Sequence, residues 1–312
     1  MAKAVNIEDL RRRARRRLPK ALFDFVDGGA YDELTLAANR DDFSTLKLLP
    51  RAMVDVGERR QTRRVLGQEL ALPLVLSPTG MTGLFGPGGE IAAARAAAAV
   101  GAGYCVSTMA STSIEDLAKA APGFWFQLYI QKDRGVTRAL VERAAAAGCP
   151  VLCVTTDVVV PGRRERDVRN GYTVPPKITP RNALDFLSRP AWLWRMLSGP
   201  KLTFANFAEI ESRRFDITTV SQYIGAQFDP GLTWKDIDWL KSFWPGKLIL
   251  KGVLSAEDAR LARDHGADGL SVSNHGGRQL DHGRGGLDVL PEVVEAAGGK
   301  AEIIYEIGRA HV

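Results

Sequence analysis

From about residue 70 onward the chain alternates between two kinds of hydrophobic pattern. Short apolar runs rich in β-branched and aromatic residues end in polar residues or glycine. They are LPLVLSP (72–78), YCVST (104–108), FWFQLY (124–129), VLCVTTD (151–157), KLILKG (247–252), GLSVSN (269–274) and AEIIY (301–305). Between them lie EIAAARAAAAVGA, SIEDLAKAA, VTRALVERAAAAG, WKDIDWLKSFW, AEDARLARDHGA and LDVLPEVVEAAGG, several of which close on glycine after an apolar stripe, as helix C-termini do. Alternating strand and helix, with strands apolar on both faces, predicts a parallel sheet buried under helices.

An open doubly wound sheet and a closed (β/α)8 barrel both satisfy that pattern. Residues with chemical potential stand at the C-terminal end of almost every predicted strand: Thr79, Ser107, Gln127 and Tyr129, Thr155 and Asp157, Lys251, then Ser273 and His275. A barrel gathers all its strand ends around one mouth. An open sheet concentrates them at one switch point and carries a glycine fingerprint after its first strand. SPTGMTGLFGPGG follows the first strand here and lacks that spacing. The expectation is a TIM barrel spanning 71–305, with strands one to six and the start of a seventh. Residues 1–70 form a helical cap segment before it. The interval 158–232 is too long for a simple connection and is expected to be a lid or docking insertion. Within it AWLWRML reads as an amphipathic helix that packs on its own barrel or touches a membrane.

Composition changes this picture little. With 312 residues, 45% hydrophobic and 25% charged, the chain has an ordinary globular make-up. Much of its net charge of +6 comes from RRRARRR (Arg11 to Arg17), a solvated helix face first and a membrane-surface contact second. No zinc spacing, basic–aromatic interleaving or basic zipper accompanies it, which argues against nucleic acid. Cys105, Cys149 and Cys153 are odd in number and lie in or beside apolar runs, so a reducing compartment without a disulfide framework is expected. No secretory h-region follows the basic start, and no run of roughly twenty apolar residues occurs. The expected location is cytoplasmic, with peripheral contact at the inner face of the cytoplasmic membrane as the second reading.

The strand-end residues make sense as a set. His275 is a candidate base, since imidazole titrates near neutral pH. Asp157 is suited to hold that imidazole and stabilise its charged form. Arg164 and Arg278 are guanidiniums able to grip a carboxylate, and Tyr129 offers a hydroxyl. Lys251 ends an apolar strand, where a buried ammonium needs an anionic partner. Together they describe a small anionic substrate that loses a proton. Each also has a plainer reading: a turn histidine, a helix-capping aspartate, solvated arginines at 163 and 164, a core tyrosine, a lysine reaching the barrel rim. Their joint placement at strand ends favours the site.

The stretch SNHGGRQLD resembles the signature of the FMN-dependent α-hydroxy-acid dehydrogenase and oxidase family. The similarity runs from about Ile7 to Tyr305 and includes FDFVDGGAYDELTLAANR, LSPTGMTGLFGPGGE, WFQLYIQKDRG, TTDVVVPGRRERD, FDPGLTWKDIDWL and LKGVLSAEDA. Within the family the chain looks most like the bacterial membrane-associated L-lactate and mandelate dehydrogenases. The resemblance implies a TIM barrel holding FMN and oxidising an L-2-hydroxy acid to the 2-oxo acid, with electrons passing to quinone or cytochrome and a homo-oligomeric assembly. It implies that His275 takes the proton, Asp157 supports it, Arg164 and Arg278 hold the carboxylate, and Tyr129 binds substrate. Lys251 would stabilise the reduced flavin, Thr79, Ser107, Gln127, Thr155 and Ser273 would hydrogen-bond it, and backbone from Pro78 to Gly80 would face it. Gly80 resembles the dehydrogenase members, where oxidases often carry alanine; a peroxide-forming oxidase is the alternative.

Two departures stand out. Phe25 occupies a position where the family often has tyrosine, which removes one hydroxyl from the substrate pocket. The family also continues past the seventh strand into a phosphate-gripping loop and an eighth strand, whereas this sequence ends YEIGRAHV. That tail back-translates to a string found in a common sequencing adapter. Glu306 to Val312 is therefore set aside as a non-native tail, and a shortened barrel with weak FMN binding, or an inactive fragment, is expected.

Overall fold

The computed structural model describes residues 4–86, 88–172, 179–180, 182–208 and 226–307. Three helices come first: α1 (Ile7–Arg17), α2 (Lys20–Asp27) and α3 (Leu34–Thr45). The side chain of Asn6 caps α1 by accepting from the Asp9 amide, and the acids of the first turn and arginines of the last complement the helix dipole. Arg11 pins α1 to α2 through a two-pronged ion pair with the buried carboxylate of Asp27.

A short antiparallel hairpin follows, β1 (Arg63–Val65) and β2 (Gln68–Leu70). The sequence reading assigned this stretch to a helical segment and did not see the hairpin; Leu66 and Gly67 turn it with positive φ. Then come β3 (Val75–Leu76), α4 (Gly89–Ala99), β4 (Gly103–Ser107), α5 (Ile114–Ala120), β5 (Trp125–Leu128), α6 (Arg134–Ala146) and β6 (Val151–Thr155). Among the described residues of the insertion lie four short helices, α7 (Glu165–Arg169), α8 (Ala183–Leu187), α9 (Pro190–Ser198) and α10 (Ala205–Ala208). The expected lid at 158–232 falls partly outside the described residues, at 173–178, 181 and 209–225. The alternation resumes with α11 (Trp234–Lys241), β7 (Lys247–Val253), α12 (Ala256–Asp264), β8 (Gly269–Val272), α13 (Gly286–Ala297) and β9 (Glu302–Tyr305).

β3 to β9 form one parallel sheet in strict sequence order, the order of an α/β barrel. Five of the seven sheet strands lie within the apolar runs, and the other two overrun theirs by one residue, β4 at Gly103 and β7 at Val253. Side-chain parity makes two cores. Val106, Phe126, Leu152, Val154, Leu250 and Val272 point outward into the helices. Cys105, Trp125, Val151, Cys153 and Ile249 point inward. Val75 of the first sheet strand and Ile304 of the last pack on that same inner cluster, so the sheet curls around it. All three thiols are free and buried.

The hairpin closes one end of this curl. Leu66 belongs to the inner cluster, the Leu66 amide donates to Glu302 at 3.0 Å, and the Trp125 indole donates to Gln68. With the N-terminal ends of the strands plugged in this way, chemistry is left to the C-terminal ends.

Candidate functional site

Inward parity continues from the inner core to the strand ends, where the side chains turn polar. Ser107 lies opposite Gln127, and Thr155 opposite Lys251. The Gln127 amide binds both neighbours: its Oε1 accepts from Ser107 Oγ at 3.0 Å and its Nε2 donates to Thr155 Oγ1 at 2.8 Å. Thr108, which the sequence reading passed over, is fully buried. Its hydroxyl donates to the Gln127 carbonyl at 2.6 Å and accepts from the Tyr129 amide at 3.1 Å. The result is a belt of hydroxyl and amide groups at one level of the barrel.

Lys251 enters this belt from β7 and is only 3% exposed. Its ammonium lies 3.2 Å from Ser273 Oγ and 3.2 Å from Glu306 Oε2. Burial alone would lower its pKa, but the carboxylates of Glu306 and Asp157 outweigh burial and hold it above the ordinary lysine value. Glu306 thus sits inside the belt, although the sequence reading set it aside with the tail; 308–312 of that tail lie outside the described residues.

His275 follows β8 in a left-handed backbone conformation (φ 58°), and Gly276 and Gly277 continue it. Such a conformation is strained for histidine and persists where neighbours enforce it. Here the His275 amide donates to Ser273 Oγ, and Asn274 caps the turn by accepting from the Gly277 amide. The imidazole Nδ1 meets Asp157 Oδ1 at 3.0 Å. The other Asp157 oxygen is buried and has no hydrogen-bond partner among the described residues. Burial would raise the Asp157 pKa, yet the charges of Lys251 and His275 bring it below the usual aspartate value. For His275, burial and then Lys251 lower the pKa against the opposing pull of Asp157.

A second group gathers at Phe25 of α2. The guanidinium carbons of Arg164 and Arg278 stand 5.2 and 5.3 Å from the centre of its ring. Tyr172 packs on the same ring at 4.7 Å. Arg278 is buried and donates to the Gly28 carbonyl at 2.6 Å, and Arg164 pairs with Asp167 at 2.8 Å. Tyr129 stands edge-on to Phe228 at 5.4 Å. Thr79 and Gly80 lie on the strand-end loop after β3, half-buried, and a Cβ on Gly80 would come within 3.0 Å of the Met109 side chain.

The expected residues therefore fall into a polar belt (Ser107, Gln127, Thr155, Lys251, Ser273), a His275–Asp157 pair, an arginine–aromatic cluster and the Pro78–Gly80 loop. Sequence reasoning missed Thr108 and Glu90. A single threonine ending a strand, or an acid in the first turn of a helix, carries no signal that separates it from ordinary capping.

A curled, seven-stranded parallel α/β sheet with an imidazole–carboxylate pair, a buried ammonium and a ring of hydroxyl donors at its strand ends has the layout of a cofactor-assisted α/β-barrel enzyme. Residues 14–309 match the FMN-dependent dehydrogenase family, and the chain belongs to it. It is 42% identical over 302 residues to an L-lactate dehydrogenase of Caulobacter sp. (strain K31), covering 96% of this chain and 79% of that one. The solved structure of a monotopic membrane protein, (S)-mandelate dehydrogenase, superposes with a TM-score of 0.93 at 37% identity, covering 97% of this chain and 80% of the other. A mandelate oxidase structure superposes at 0.82 with 35% identity, over 97% and 78%.

Proposed function

We propose that the protein oxidises a small L-2-hydroxy acid of the lactate or mandelate kind to the 2-oxo acid, passing electrons on to a quinone or cytochrome. The observation that carries the reading is the His275–Asp157 pair at 3.0 Å, set beside a buried lysine. A carboxylate only accepts hydrogen bonds, so the Nδ1 proton of a neutral imidazole points at Asp157 and leaves Nε2 as the proton acceptor. The lowered pKa keeps that nitrogen unprotonated at neutral pH. As it takes the substrate proton, the nearby Asp157 carboxylate stabilises the imidazolium.

FMN, when bound, supplies the two-electron acceptor. The residues fit such a group. Lys251 is a buried cation whose hydrogen-bonding and ion-pair partners among the described residues are Ser273 and Glu306, and the belt around it offers hydroxyl and amide groups in one layer. Ser107, Gln127, Thr155, Lys251 and Ser273 would hold the ring's polar edge, with Thr79 and the Pro78–Gly80 backbone on the neighbouring strand end. Arg164 and Arg278 would bind the substrate carboxylate, and Tyr129 its hydroxyl.

Anaerobic bleaching of the flavin absorbance with lactate, mandelate, glycolate and longer 2-hydroxy acids tests the reading. Bleaching by at least one L-acid is expected, with dye or quinone reduced faster than oxygen. An FMN-loaded protein that none of these acids bleaches overturns it.

Peripheral membrane association is a second reading favoured by α8 and α9. Leu184 and Leu187 of α8 and Trp194 and Leu197 of α9 are 62–80% exposed, whereas Trp192 of α9 is buried. Among the described residues no helix is long and apolar enough to cross a membrane.

A further inference from the structure

We propose that Glu90 is a positioning residue whose buried carboxylate clasps together the strand-end loop that carries Pro78–Gly80 and the loop that follows Ser107, and so shapes the backbone against which FMN binds. This rests on the function proposed above. Glu90 stands in the first turn of α4 and is fully buried. Its Oε1 accepts from the Thr82 amide at 3.1 Å and the Ser111 amide at 2.9 Å. Its Oε2 accepts from Ser111 Oγ and Thr112 Oγ1, each at 2.8 Å. No lysine or arginine pairs with it among the described residues. Burying a carboxylate without a counter-cation is costly unless donors replace its water, and the four donors do so with the N-terminal dipole of α4 behind them.

Thr82 belongs to the loop after β3, and Ser111 and Thr112 to the loop after β4. Around the carboxylate the two loops are fastened directly. The Met81 amide donates to the Met109 carbonyl at 2.9 Å, and the Gly83 amide to Ser111 Oγ at 3.1 Å. Gly80 lies so close to Met109 that a Cβ would stand 3.2 Å from its carbonyl oxygen. The position of the Thr79–Gly80 backbone is therefore set by the second loop, and Glu90 holds both. An acid at this point of a helix need only cap it; here it reaches across to a neighbouring strand-end loop.

The test uses the full-length chain freed of flavin, with Glu90→Gln and, separately, the double substitution Ser111→Ala and Thr112→Val. The amide keeps the shape but loses the charge; the double variant keeps the acid and removes two donors. Two readouts are taken: FMN dissociation constant by flavin fluorescence, and amide hydrogen exchange of the flavin-free protein. Both variants are expected to weaken FMN binding at least about tenfold, the worth of one charge-assisted hydrogen bond. Exchange should quicken at 79–84 and 109–112 while the other strands keep their protection. Unchanged FMN affinity in both variants overturns the proposal, as does exchange that rises uniformly along the chain. A variant too unstable to fold counts as uniform loss only if the other behaves alike. A parent protein that takes up no FMN would defeat the functional reading instead, and the exchange pattern would still judge Glu90.

Discussion

The imidazole of His275 shows how single-residue chemistry depends on its neighbours. Its pKa is lowered by burial and by Lys251, and Asp157 pulls the other way. Replacing Asp157 by asparagine removes the raising influence, so the acid limb of kcat/KM should move to lower pH. The imidazolium formed in turnover would also lose its stabilising charge, and kcat should fall on the order of a hundredfold. A pH–rate profile decides; an acid limb displaced upward would contradict the assignment. The depressed pKa has a thermodynamic counterpart. Stability retained above about pH 6.5, the unfolded histidine value, is lost as pH falls toward the folded one, because the unfolded chain then binds the extra proton. Phe25 poses a simpler question. Its ring lies under both guanidiniums, so Phe25→Tyr keeps the cation–π packing and adds one hydroxyl. KM should fall about fivefold, the worth of one hydrogen bond near 1 kcal/mol. Steady-state kinetics before and after the change measure it.

At the scale of elements, the turn after β8 is fastened to the N-terminal segment. Gly277 has φ +67°, and a Cβ there would stand 2.4 Å from the Leu36 amide nitrogen at the start of α3. Its carbonyl accepts from the Ala30 amide at 2.8 Å. Asn274 and Asn39 exchange reciprocal side-chain hydrogen bonds at 2.7 and 2.8 Å, both buried. The N-terminal helices therefore brace the turn that presents His275 and Arg278. Gly277→Ala should destabilise the fold by about 2 kcal/mol or more, through strain and displaced backbone. A Tm lowered by several degrees in a melting curve is the expected result, accompanied by weaker substrate binding.

For the whole molecule, the two faces of the insertion helices differ. Trp192 is buried with its indole bonded to the Leu84 carbonyl at 2.8 Å, whereas Trp194 and Leu197 are 72% and 75% exposed. Replacing Trp194 and Leu197 by serine should leave Tm nearly unchanged and lower the fraction that pellets with anionic lipid vesicles. High salt should release only the share due to the basic N-terminal helix. Pelleting equal to that of the parent would remove these side chains from the contact.

How much of this was legible beforehand differs by level. Strand-and-helix alternation determined a parallel sheet, because apolar periodicity is a property of neighbouring residues. Thr79, Gln127, Lys251 and His275 were singled out correctly as strand-end positions, since strand boundaries can be read locally. The hairpin at 63–70 escaped because its meaning lies in plugging an inner core assembled from six distant strands. The tertiary structure alone decided that Glu90 and Thr108 are buried binders of other segments, that Phe25 lies beneath two arginines, and that Glu306 meets Lys251. Those are encounters between residues up to about 250 positions apart, as with Arg278 and Gly28. Sequence specifies which groups are available; only closure of the chain into a curled sheet brings them within hydrogen-bonding range and sets the burial that tunes their charges.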